Sequence, residues 1–380
     1  MGLGSAQANN TAAGGMRPFH QGLAERLVCQ HDLLRSEFPG LDRIAVAIYD
    51  ARTDLLKAFI HSSEGRNPFE HAMSRLADLK SLADLAHTGG ARVINDLSVH
   101  KPSSMAHLRR LLQSGYLSSY TVPMFHKGSF QGFVFFNSMQ RDYFTPEVAR
   151  ALRPTAEVIA LTTVMELDAV RMIQAAVRTI RQISRARDEE THSHLERMAR
   201  YTRLIAVRLA PRRGMSDEWV EFLCQFAPLH DVGKIGVPDH VLLKPGRLTP
   251  EEFEVMKGHV AKGTEIVDTM AETFGIAGAP YMRILHNVVA HHHEAMDGSG
   301  YPDGLAGDQV SLEGRIVAVA DVFDALTSTR PYKRPWSVHE ALAFLVEQAG
   351  RKFDTEVVEI LRNSGAAIAD IRRQFAEDGD

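Results

Sequence analysis

Eight side chains able to bind a metal ion fall in short clusters along the C-terminal half of the chain. Glu190 and His194 stand four residues apart in RARDEETHSHLERMARYTRL, so a helix puts them on one face. His230 and Asp231 are adjacent in LHDVGKIG, and His259 lies in MKGHVAKG. His292 and His293 are adjacent in HHHEAMDGSGYPDGL, and Asp321 sits in AVADVFDAL. The donors are imidazoles and carboxylates, without a thiolate. Such a set suits iron, manganese or another borderline-to-hard divalent ion better than it suits a structural zinc. Any one pair is common on a solvated helix face, but these settings are apolar. Leu229 and Ile235 flank the His230 segment, which the pattern places in an apolar helical region. NVVA leads into HHHE, and RIVAVAD ends an apolar run on Asp321. Histidine and aspartate in apolar surroundings are costly unless paired or bound to metal.

Cations stand nearby. Lys234 follows Asp231 by three residues and can reach the same site. Arg330 and Lys333, also three apart, lie just beyond the Asp321 segment. Each can hold a phosphate oxygen or remain a solvated charge. In DGSGYPDGL, Gly298, Gly300 and Gly304 permit positive φ and Pro302 fixes its own, which makes a tight loop beside the histidines. Tyr301 within it is either a packed structural residue or a ring face for a base. His192, His286 and His291 read as spare imidazoles.

Two kinds of structure must position these groups. Residues 43–50, 55–62, 86–97, 118–125 and 131–138 carry β-branched and aromatic runs, and HKGSF between the last two is a hairpin signature. Helical patterns near 20–36, 70–85 and 104–113, and from 145 onward, flank them, so the first half is α+β. Val158, Leu161, Met165, Ala169, Met172, Ala176, Ile180 and Ile183 then form one apolar stripe on a long helix. A stripe of this kind in a helix between domains predicts pairing with a second copy of the chain, although the heptad is imperfect. Beyond residue 185 strand signals vanish and helical windows alternate with Gly/Pro punctuation. The expected fold class is a multidomain chain: an α+β domain, a long linker helix and an all-α helical bundle.

The 380 residues are 44% hydrophobic and 24% charged, with a net charge of −4, which argues against a polymeric nucleic acid as partner. The two cysteines, Cys29 and Cys224, form no disulfide framework. No apolar run reaches the ~18–20 residues of a membrane span, and the start reads as a disordered tail rather than a secretion signal. A cytoplasmic location is expected.

Residues 185 to about 365 resemble an HD-GYP domain of the HD metal-dependent phosphohydrolases. The strings that carry the resemblance are HDVGKIGVPD, LLKPGRLTPEE, HHEAMDGSGYPDGLAG and RIVAVADVFDALTSTRPYK. It implies metals at the centre of a helix bundle and cleavage of cyclic di-GMP. It implies the ligands His230, Asp231, His259, His292, His293 and Asp321. Glu190 and His194 match the members with three metals, where Asp231 would bridge and hydrolysis would run past linear pGpG to GMP. Members without the glutamate resemble two-metal sites. Catalysis falls to Asp231 and Lys234, phosphate binding to Lys234, Arg330 and Lys333, and docking of cyclic di-GMP synthase domains to the Tyr301 loop. A non-hydrolysing cyclic di-GMP receptor and a hydrolase of another cyclic dinucleotide, such as cyclic GMP–AMP, remain as alternatives. The strings AVAIYD, AHTGGARVIND, SSYTVPM and GFVFFNS resemble a GAF domain, which implies a regulatory module with a small ligand of unknown identity. The expected division is a tail at 1–17, a GAF-like domain at 18–155, a linker helix at 156–186 and the HD-GYP domain at 187–380.

Overall fold

The computed structural model of the chain describes residues 22–64, 67–99, 106–183, 192–328 and 334–375. Helix α1 (Leu23–Glu37) precedes strands β1 (Arg43–Asp50), β2 (Leu55–Ser63) and β3 (Met73–Arg75). Helix α2 (Lys80–Thr88), strand β4 (Arg92–Ile94) and helix α3 (Ala106–Gln113) follow, then β5 (Ser118–His126) and β6 (Ser129–Ser138). The sheet order is β3-β2-β1-β6-β5-β4, with every neighbouring pair antiparallel. The apolar runs of β1 and β6 occupy its centre, where helices cover both faces. The β5–β6 hairpin closes through Lys127-Gly128, both at positive φ, as a tight two-residue hairpin turn requires.

Helix α4 (Pro146–Ile183) then leads into a half in which, among the described residues, every regular element is helical. Its helices are α5 (His192–Arg213), α6 (Asp217–Phe226), α7 (Asp239–Leu242), α8 (Pro250–Lys257), α9 (His259–Thr273) and α10 (Pro280–His291). They are followed by α11 (Leu312–Thr327), α12 (Val338–Glu347), α13 (Thr355–Arg362) and α14 (Gly365–Gln374). The α+β half and the helical half are therefore as the sequence predicts. No helix among the described residues is long and apolar enough to cross a membrane.

One local expectation differs. The helix expected near 70–85 is instead strand β3, a short 3-10 turn and α2, because Met73–Arg75 pairs with β2 at the sheet edge. Helix α4 begins at Pro146, as the helical pattern from 145 onward predicts, and its first turn tolerates proline. On α4 the stripe of Val158, Leu161, Met165 and Met172 faces outward, with Met165 63% exposed. A second stripe, Ile159, Leu167, Val170, Ile173 and Val177, packs inward. Helix α4 thus has two apolar faces, and among the described residues only one is covered.

The two halves share a core. One continuous apolar cluster runs from the sheet through the inner face of α4 into the helical half, and Phe59 meets Phe222 edge-on at 5.8 Å. Polar groups are buried at the same seam. Lys57 Nζ lies 3.3 Å from Asp50 Oδ2 and 3.2 Å from Glu221 Oε1, and Arg203 pairs with Glu221 as well. Burial alone would raise the Glu221 carboxyl, but Arg203 and Lys57 hold it far below the usual carboxylate range. Replacing Glu221 by glutamine leaves both cations sharing less charge in a dry site. We expect a loss of roughly 3–5 kcal/mol in denaturant unfolding at neutral pH. Because the folded value is depressed, this contribution is complete above the unfolded carboxyl value of about 4.3 and drains away as pH falls below it. A loss under about 1 kcal/mol would contradict a role for this cluster in joining the halves.

Candidate metal centre

Asp231 does not sit in the regular helix that its apolar flanks predict. It opens a 3-10 segment, Val232–Gly236. The reason is close packing. A Cβ on Gly233 would lie 1.9 Å from the His259 carbonyl oxygen and 2.4 Å from the Gly263 amide. A Cβ on Gly263 would lie 2.7 Å from Val289. Two glycines therefore draw the Asp231 segment, α9 and α10 into near backbone contact. Those three elements carry Asp231, His259, His292 and His293.

The side chains converge in two groups, Asp231 with His259, His292 and His293, and His194 with His230 and Asp321. Asp231 connects them. Its Oδ2 is 3.1 Å from His230 Nε2. Its Oδ1 is 3.1 Å from His259 Nε2 and 3.6 Å from His292 Nε2. His230 Nε2 also lies 3.8 Å from Asp321 Oδ1. His259 and His292 present their Nε2 atoms to each other at 3.4 Å.

The second nitrogen of each ring is committed elsewhere. Nδ1–H of His230 donates to the Ala227 carbonyl at 2.9 Å, that of His259 to Met256 at 2.7 Å and that of His292 to Val289 at 2.9 Å. A carbonyl only accepts, so each neutral ring turns its Nε2 lone pair inward. Burial lowers His292 and, together with the neighbouring His292, pushes His293 well below its ordinary value, which keeps both rings neutral. Asp231 is held ionised: burial would raise it, and the Lys234 cation beside it outweighs that. Lys234 Nζ sits 2.6 Å from Asp231 Oδ2. Lone pairs of two imidazoles therefore face a buried anionic oxygen with no hydrogen between them. Acceptors crowded on acceptors fit a cation, and neutral imidazole with ionised carboxylate is the donor state a divalent ion needs.

Sequence reasoning did not identify Asp324. This buried carboxylate accepts from His194 Nδ1 at 2.7 Å and from Arg197 Nε at 2.6 Å, which fixes the His194 ring. The signal was its place three residues after Asp321 on one face of α11. Glu294 was also unassigned. Its Oε1 accepts from Asp303 N–H at 2.8 Å and its Oε2 from Leu305 N–H at 3.0 Å, so it holds the loop after the histidines. Gly298 and Gly304 take positive φ in that loop. Gly300 does not. It is required because a Cβ there would lie 2.3 Å from the Ala295 amide. The Tyr301 ring is thereby placed 4.7 Å from the His293 ring, with Lys257 Nζ 5.6 Å from its own centre. Lys257 was likewise not anticipated.

The structure thus gathers His194, His230, Asp231, His259, His292, His293 and Asp321, with Lys234 and Tyr301 beside them. Glu190, Arg330 and Lys333 lie outside the described residues. His286 and His291 join neither group. His291 Nδ1 accepts from the Ser311 amide, and its backbone packs on Gly314 of α11.

Residues 187–357 match the HD domain family. The chain is 46% identical over 201 residues to the cyclic di-GMP phosphodiesterase response regulator RpfG of Xanthomonas campestris, covering 52% of this chain and 50% of that protein. It is 42% identical over 200 residues to a cyclic di-GMP phosphodiesterase of Thermotoga maritima, covering 52% and 51%. It is 40% identical over 176 residues to 3'3'-cGAMP-specific phosphodiesterase 2 of Vibrio cholerae, covering 46% and 32%. The chain spans about half the length, or less, of these curated relatives. Among solved structures, the GAF domain of a phosphoenolpyruvate-protein phosphotransferase from Coxiella burnetii aligns with a TM-score of 0.32 and 16% identity, over 40% of this chain and 87% of that one. Likeness at that level transfers neither ligand nor function.

Divalent metal binding to this centre should stabilise the fold. With chelator-treated protein, free Mn²⁺ at about 100 times its dissociation constant should add roughly 2.7 kcal/mol. Asp231→Asn should remove most of that gain, and Asp324→Asn should weaken the affinity about 10–100-fold. Equal metal-induced stabilisation of the wild type and Asp231→Asn would contradict this assignment.

Proposed function

We propose that this HD-domain chain is a divalent-metal phosphodiesterase that opens cyclic di-GMP to linear pGpG and carries it on to GMP. The observation that carries the reading is the placement of Asp231, whose Oδ1 faces His259 and His292 while its Oδ2 faces His230 of the group formed with His194 and Asp321. The HD domain itself implies divalent metal binding, and the curated relatives named as cyclic di-GMP phosphodiesterases support the substrate.

In this reading His194, His230, Asp231, His259, His292, His293 and Asp321 hold two divalent ions, iron or manganese, and Glu190 adds to a third. Such ions supply positive charge for phosphate oxygens and lower the pKa of an attacking water. The chain's own groups do the remaining work. The backbone carbonyls of Ala227, Met256 and Val289 keep the imidazoles in one tautomer. Lys234 lies against Asp231 and supplies a cation for a phosphate oxygen once substrate enters. Arg330 and Lys333 are assigned to the substrate phosphates by the resemblance to the HD-GYP family. Tyr301, braced by Gly300 and Glu294, offers a ring wall for a guanine.

Partners belong to the same proposal. The outward stripe of α4 supports a homodimer, and the shared core of the two halves supports regulation through the N-terminal half by a small ligand. Docking of cyclic di-GMP synthase domains on the Tyr301 loop and a cytoplasmic location are inferred from the sequence alone. A second substrate is favoured by one observation: several relatives are named as cyclic GMP–AMP phosphodiesterases.

Protein purified without oxygen and loaded with iron or manganese should convert cyclic di-GMP to pGpG and then GMP. Lys234→Ala should lower kcat about 10²–10³-fold. Metal-loaded protein that binds cyclic di-GMP without product would replace the enzyme with a receptor. Faster turnover of cyclic GMP–AMP would move the substrate to that ring. For the dimer, light scattering at micromolar concentration should give two chains for the wild type and one for Leu161→Glu/Met165→Glu with unchanged helicity. A monomeric wild type would contradict it.

A further inference from the structure

A cavity of about 480 Å³ lies where the sheet half meets the helical half, within the size range of small-molecule sites. It shares no lining residue with the metal centre. Leu195 and Leu229 line it, and they are the chain neighbours of His194 and His230.

The charge of the lining is unbalanced. It contains six cationic side chains and three carboxylates, and Asp168 just outside pairs with Arg171 at 3.0 Å. Lys57 and Arg203 are satisfied by Asp50 and Glu221. Arg52 takes Glu196 at 2.8 Å, which leaves Arg200 with that same carboxylate only at 3.9 Å. The Arg200 Nε is buried with no hydrogen-bond partner among the described residues. Arg178 is exposed on α4, two turns beyond Arg171 on the same face. Among the described residues two positive charges thus remain over, on Arg178 and on Arg200, whose guanidinium also lies 5.5 Å from the centre of the Phe375 ring. Guanidinium forks suit phosphate oxygens. Another part of the lining is aromatic: Tyr49 and Phe130, with ring centres 5.3 Å apart, are both only partly buried.

We propose that this cleft is a second, non-catalytic site for a nucleoside monophosphate. Arg171, Arg178 and Arg200 take its phosphate, and Tyr49 with Phe130 takes the face of its base. The ligand touches both halves at once. Its arginines sit on α4 and on α5, the helix that carries His194, so occupancy ties the sheet half to the metal centre. The site does not depend on the phosphodiesterase reading, because it requires no turnover.

The test is calorimetric titration of the full chain with GMP and, separately, with inorganic phosphate. GMP can also reach the metal centre, so the decisive background is Asp231→Asn. One GMP site should remain there, at least tenfold tighter than phosphate. Adding Arg171→Ala and Arg178→Ala, two changes at exposed side chains, should weaken it at least tenfold while the circular dichroism is unchanged. Absence of GMP binding in Asp231→Asn, or binding that the arginine changes leave intact, overturns the site. Phosphate binding as tight as GMP overturns the role of the aromatic pair.

Discussion

A buried, ionised carboxylate governs the helical half. Taking the Asp231 charge out of water costs several kcal/mol unless cations surround it. Within the chain Lys234 supplies one cation. The imidazoles of His230, His259 and His292 face the carboxylate with lone pairs rather than protons, because backbone carbonyls hold their other nitrogens. The arrangement is electrostatically unfinished, and the divalent ions proposed for it would complete it. The fold of this half can be understood as the machinery that keeps such a costly cluster in place.

That machinery is mostly backbone packing. Gly233 and Gly263 let three segments approach to distances that no Cβ allows. Gly300 does the same for the loop that presents Tyr301, and Glu294 secures it from the residue next to the ligating pair. Helix α5 is the element on which both halves bear. One part of it brings His194 to Asp324 and Asp321. Further along, Arg203 meets Glu221 and, through it, Lys57 of the sheet. A change in how the sheet seats against α5 is therefore felt on the helix that carries His194, a proposed metal ligand.

Much of this was legible in the sequence because the ligands come as adjacent or helix-spaced pairs inside apolar runs. His230-Asp231, His292-His293 and Asp321 announce themselves as polar groups where packing alone forbids them. Strands β1, β5 and β6 read well because their apolar runs are largely buried on both faces, and the Lys127-Gly128 turn marks its own hairpin. Groups whose roles are defined only by tertiary contact were hidden. Asp324 resembles any helix carboxylate until Arg197 and His194 meet it, and Lys257 is an ordinary surface lysine until α8 brings it to Tyr301. The 3-10 turn at Asp231 depends on a glycine's neighbour in another helix. The inward stripe of α4, Ile159 to Val177, was missed beside the outward one for a related reason. Periodicity shows that a face is apolar, but only packing shows which partner covers it.

The proposal that Asp231 would bridge two ions is tested most directly by electron paramagnetic resonance of the Mn²⁺-loaded protein. Two ions joined through one carboxylate are spin-coupled. The wild type should show the broadened spectrum of a coupled pair, and Asp231→Asn should show the hyperfine pattern of isolated ions. A fully loaded wild type that shows only isolated ions would contradict a bridged centre and, with it, the arrangement from which the proposed hydrolysis follows.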